Sequence, residues 1–106
     1  MIKTSKISVK TKGNADVIDI TRDVQKVVDE SGVKEGNVLV FVSGSTDGLT
    51  TIEFEPGLEK DLKEFFEKIV PEMKEYYHNE RWGDGNGHSH VRASLLKPGL
   101  NVPFSG

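Results

Sequence analysis

The sequence predicts an α+β fold: largely antiparallel β-sheets with two main helices packed against them. Three observations carry this. Asn37 to Ser43 (Asn-Val-Leu-Val-Phe-Val-Ser) is an apolar run of strand length, bounded by turn residues. Ile2 to Lys12 and Leu49 to Glu55 alternate apolar and polar residues with period two. Only two stretches carry helical periodicity, and the strand-like runs neighbour one another rather than alternating with helices.

Taken in order, Ile7 and Val9 point one way and Lys6, Ser8 and Lys10 the other, as in an edge or half-buried strand. Gly13-Asn14 turns the chain, and Val17, Ile18 and Ile20 suggest a second short strand. Asp19 or Thr21 can cap a helix carrying Val24, Val27 and Val28 that ends near Gly32. Asn37 to Ser43 reads as a central, buried strand. Gly44 to Gly48 breaks it. In the next strand Ile52 and Phe54 share one face, with Thr51, Glu53 and Glu55 on the other. Leu58, Leu62, Phe65, Phe66, Ile69 and Val70 describe a helix on a sheet, ended or kinked by Pro71. Glu72 to Tyr77 can add a further turn. Asn79 to Gly87 reads as loop, His88 to Leu96 as a returning strand, and Leu100 to Phe104 as the opening of another.

The chain has 106 residues and reads as one domain, 1–106, long enough for a single core. A formal charge of −3 without a dense Lys/Arg cluster argues against a dedicated nucleic-acid binder. No cysteine is present, so disulfides and thiolate metal sites are excluded. No apolar run approaches a membrane span, and Met1 to Lys6 lacks a signal-peptide core, so no membrane association and a cytoplasmic location are expected.

The chemistry concentrates between residues 78 and 92. All three histidines lie there. If 88–96 is a strand, His88 and His90 leave the same face, and Arg92 follows on it. With His78 they make a three-imidazole site for a divalent ion, zinc or magnesium, with Asp84 as a fourth ligand or as the partner that fixes a tautomer. The competing reading is that these histidines make ordinary hydrogen bonds. Gly83-Asp84-Gly85-Asn86-Gly87 can present backbone N–H groups to a phosphate, Asn86 included, or can be a plain loop. Arg92 can grip a phosphate with its planar fork or form a surface ion pair. Trp82, Tyr76 and Tyr77 can line a pocket for a planar ring or serve as core or subunit-interface anchors.

Several motifs together resemble the YjbQ-like family, UPF0047: Phe41-Val42-Ser43-Gly44-Ser45-Thr46, Thr50-Thr51-Ile52-Glu53, Tyr77-His78-Asn79, then Asp84 through Leu96, and Val102-Pro103-Phe104. The Asn-Gly-His-Ser-His-x-x-Ala-Ser-Leu block is the specific one. The resemblance implies a homotrimer with sites near subunit boundaries. It also implies a phosphorylated small-molecule substrate, some members being described as having thiamine-phosphate synthase activity. It gives weight to Ser45 and Thr46 as phosphate-positioning residues and to Glu53 as a general base or ligand, beside Asp84 and Arg92. The alternative is a non-catalytic trimeric metal- or anion-binding protein. Two departures stand out. Gly44 occupies a position where many members carry histidine. Members also continue past Val102-Pro103-Phe104 into further strands, which this chain is expected to lack.

Overall fold

The computed structural model describes residues 2–83 and 85–105. Asp84 therefore lies outside the described residues, as does the side chain of Trp82. Helix α1 spans Thr21–Ser31. The Asp19 carboxylate starts it, accepting from the Thr21 N–H at 2.9 Å and the Thr21 hydroxyl at 2.6 Å. Gly32 closes it at φ 73°, a left-handed conformation that glycine adopts without a Cβ penalty.

Strand β1, Glu35–Phe41, pairs antiparallel with β2, Gly99–Ser105, with Val38 opposite Val102 and Phe41 opposite Gly99. These are the two strands of the one sheet among the described residues. Pro103 sits inside β2 opposite Asn37. Proline has no N–H to give to a second neighbour, so its presence suits a strand with one free edge. The apolar run was expected to be central and buried. It is instead a half-buried edge, with Leu39 70% and Phe41 65% exposed.

Helix α2, Pro56–Ile69, starts as its residues dictate. Proline stands at its first position, and Glu55 reaches over to accept from the Gly57 and Leu58 N–H groups at 2.6 and 2.9 Å. Phe66, near its end, and Val70, just past it, are the buried apolar side chains among the described residues. Residues 72–76 do not extend it. Helix α3, Tyr77–Trp82, occupies part of the expected loop and is closed by Gly83 at φ 68°.

The main correction is α4, Gly87–Leu95. The stretch expected as a returning strand is a helix. His-Ser-His-Val-Arg-Ala mimics alternation over too few residues to decide, while Arg, Ala and Leu are good helix formers. Its start is set by a tertiary contact: the Gly87 N–H donates to the Asn79 side-chain oxygen at 2.8 Å. A second correction concerns residues 2–12, 17–20 and 50–55. They form no ladder. Alternation prepares a strand, but a strand needs a hydrogen-bonded neighbour, and the nearest feature is one isolated bridge, Leu49 with Lys97. Among the described residues no helix is long and apolar enough to cross a membrane.

Candidate functional site

Helicity at 87–95 rearranges the expected site. Residues two apart on a helix point to nearly opposite sides, whereas residues four apart share a face. His88 therefore pairs with Arg92 rather than with His90, and these two are both 6% exposed, on the buried side of α4. His90, partly exposed, looks toward α3, where its ring lies 4.3 Å from that of His78 at 42°.

The inward side is a clamp. The Arg92 Nε donates to the Val70 carbonyl at 2.9 Å, one terminal nitrogen to the Asn14 side-chain oxygen at 2.7 Å, and the other to Glu67 at 3.0 Å. The guanidinium also lies over the Phe66 ring, 5.9 Å from its centre. One planar fork thus ties α4 to the end of α2 and to the turn at Asn14, whose φ is 48°. Neither a phosphate fork nor a surface ion pair describes Arg92; it joins elements in the interior. His88 beside it has Nε2 3.3 Å from the Ser89 hydroxyl, and its buried Nδ1 has no hydrogen-bond partner among the described residues.

The outward side is a recess. Gly44, Ser45, Asp47 and Pro98 line one wall and His90, Ala93 and Ser94 of α4 the other, around about 270 Å³. Gly44, at φ 110°, bends the chain out of β1 and brings this loop to α4. The recess is smaller than the ~300–1,000 Å³ typical of small-molecule sites, so it has room for part of a ligand rather than the whole.

The expected residues therefore part company. Ser45 and His90 come together, with His78 stacked behind. Thr46 is exposed and outside the recess lining. Glu53 is exposed on the extended segment before α2, also outside it. Asn86 acts through its backbone, its carbonyl accepting the Ser89 and His90 N–H groups at 3.0 and 3.3 Å. The glycine run is built for turns and close approach: Gly83 and Gly85 have φ near 70°, and a Cβ on Gly87 would stand 2.6 Å from the Tyr76 Cβ. Its Gly87 N–H is taken by Asn79, not offered to an anion. The three-imidazole metal cage does not assemble. Among the described residues no three His, Asp or Glu side chains are placed to hold a metal ion, because the helix turns His88 away from His90.

Sequence reasoning passed over Asp47, Ser94 and Asn79. Asp47 lay inside a motif already singled out, and Asn79 followed His78. Ser94 lay inside the Ala-Ser-Leu end of the family block, but was given no role, because only the helical spacing from His90 (i, i+4) brings it to the recess.

The UPF0047 protein YjbQ-like family model matches residues 5–106. The chain is 37% identical over 97 residues to a UPF0047 protein of Archaeoglobus fulgidus, covering 92% of this chain and 73% of that one. It is 32% identical over 103 residues to YugU of Bacillus subtilis, covering 96% and 74%. Among solved structures, it is similar to an uncharacterised conserved protein of Clostridium acetobutylicum, with a TM-score of 0.77 and 35% identity over 91% of this chain and 73% of that one. A YbjQ-like protein of unknown function from Sulfolobus solfataricus gives a TM-score of 0.84 and 31% identity over 92% and 69%. Those neighbours agree with the α+β architecture, and the chain belongs to the YjbQ-like, UPF0047, family.

Proposed function

We propose that the recess between the 44–48 loop and α4 binds the phosphate end of a small phosphorylated molecule. The observation that carries this is the meeting of Ser45, Asp47, His90 and Ser94 from two distant stretches of chain. Two hydroxyls and an imidazole N–H can donate to phosphate oxygens. The Asp47 carboxylate would repel a bare phosphate. A divalent ion, magnesium rather than zinc, is proposed only as a companion of the substrate, since magnesium is commonly held by one or two carboxylates plus substrate phosphates.

The reaction to assay, by family resemblance, is thiamine-phosphate synthase-type transfer. A thiazole nitrogen forms the new C–N bond as the C–O bond to pyrophosphate breaks. Ser45, Ser94 and His90 would hold the departing phosphate oxygens, where charge accumulates. Neither Glu53 nor Arg92 enters this scheme. The alternative is a non-catalytic anion- or metal-binding protein with the same recess, and the homotrimer implied by the family resemblance belongs to both.

Product formation is measured for the parent, His90→Ala, Ser45→Ala and His88→Ala, with and without chelator, beside calorimetric titration of inorganic phosphate and pyrophosphate. Loss of about 100-fold in His90→Ala, with folding intact, supports the transferase. Phosphate binding without turnover supports the alternative. A His90→Ala, Ser45→Ala double variant that matches the parent in both assays overturns the recess.

A further inference from the structure

Helix α3 is tied down on both sides of His78. The Tyr76 hydroxyl, two residues before it, donates to the Pro71 carbonyl just past α2. The Asn79 side-chain oxygen, one residue after it, accepts the Gly87 N–H at 2.8 Å, at the start of α4. The two helices approach so closely there that a Cβ on Gly87 would stand 2.6 Å from the Tyr76 Cβ. None of these anchoring residues lines the recess. The platform that carries His78 is therefore fixed by contacts of its own.

From that platform one ring meets the recess wall. The half-buried His78 ring lies 4.3 Å from the His90 ring, inclined at 42°. His90 lines the recess and His78 does not. Among the described residues no side chain hydrogen-bonds the His90 ring, so its orientation rests on this contact.

Orientation matters because the χ2 torsion of histidine is broad. An unsupported imidazole on a helix face samples many tilts, and an anion that needs its N–H must freeze one of them. Freezing one side chain on binding weakens affinity about 2- to 12-fold. A ring already packed against a fixed neighbour escapes most of that loss. Packing of this kind needs a flat partner rather than a second imidazole, since flat rings stack on one another through their faces and edges.

We infer that His78 is a positioning residue for the recess: its ring, docked through α3, restrains the His90 imidazole in the orientation that meets the anion, and touches no ligand itself. This deepens the proposed function and rests on the reading of the recess as a phosphate site.

Inorganic pyrophosphate with magnesium is titrated calorimetrically into the parent, His78→Ala, His78→Phe, His90→Ala and the His78→Ala, His90→Ala double variant. Ring mobility is followed by NMR in histidine-labelled chains. With three histidines present, the His90 signal is assigned by its loss in His90→Ala. His78→Ala should weaken binding about 2- to 10-fold and loosen the His90 ring, and His78→Phe should restore both. In the His90→Ala background, removing His78 should change nothing further, as for two residues that act through one contact. Melting temperatures are taken alongside, and His78→Leu, which keeps bulk without a flat ring, stands in for His78→Ala if that chain is unfolded. Equal losses in the alanine and phenylalanine variants, a further loss in the double variant, or a mobile His90 ring in the parent overturns the inference and leaves the recess intact. A parent that does not bind, or His90→Ala binding like the parent, overturns the phosphate reading of the recess and this role with it.

Discussion

Arg92→Ala should unfold the joint between α2, α4 and the Asn14 turn. The side chain is almost entirely buried and makes three hydrogen bonds of 2.7–3.0 Å. The bond to the Val70 carbonyl is charge-assisted and out of water, worth about 1.5–3 kcal/mol. The Glu67 carboxylate is 52% exposed and regains water when its partner leaves, so that pair adds at most about 1 kcal/mol. Lost packing on Phe66 adds about 1 kcal/mol more. The sum is about 2.5–5 kcal/mol, a large share of the stability of a chain this size. At about 4–5 °C per kcal/mol, the melting temperature falls by roughly 10–25 °C. Arg92→Lys keeps the charge but cannot reach three acceptors from one ammonium, so it should recover less than half of the loss. Urea melts followed by circular dichroism measure both. A loss under 1 kcal/mol in Arg92→Ala, or full recovery by lysine, refutes the clamp.

Three other outcomes follow from local geometry. Gly87→Ala puts a methyl 2.6 Å from the Tyr76 Cβ and 2.9 Å from the Asn79 side-chain oxygen, and should cost about 1–3 kcal/mol, read as a lower melting temperature with reduced helicity. Glu55→Ala removes the acceptor of two N–H groups at the start of α2 and should cost about 1 kcal/mol in urea melts. Asp19 is held below the usual carboxylate range, first by the Thr21 hydroxyl, then by the Thr21 N–H, with Arg22 nearby. A depressed folded pKa gives stability that is present above the ordinary Asp value and lost as pH falls through the folded one. Asp19→Ala should therefore flatten that acid limb of the stability–pH curve, measured by melts from neutral pH downward.

Where local rules suffice, sequence and structure agree. Helix α2 is legible from its apolar stripe, but its start was not: Glu55, expected on a strand face, caps the helix, and Pro56 is its first residue. Helix α1, with Asp19 before it and Gly32 after it, is legible at both ends. The 87–95 stretch was not. Its His-Ser-His pattern reads as alternation, and the group that makes it a helix, the Asn79 oxygen on Gly87, lies eight residues back in the chain. The recess escaped partly for that reason. Ser94 and Ser45 both lay in motifs that carry the family resemblance, but Ser94 reaches the recess only through helical spacing.

Composition, capping residues and the motif block alone determined the α+β class and the family, because these depend on residue identity and short-range hydrogen bonds. Tertiary structure decided which side chains face one another. It turned His88 and Arg92 inward and His90 toward Ser45, and it left the strand-patterned segments 2–12 and 50–55 without ladders. The physical reason is that a strand, a buried guanidinium and a recess each require partners from distant parts of the chain, and no periodicity in a single stretch specifies them.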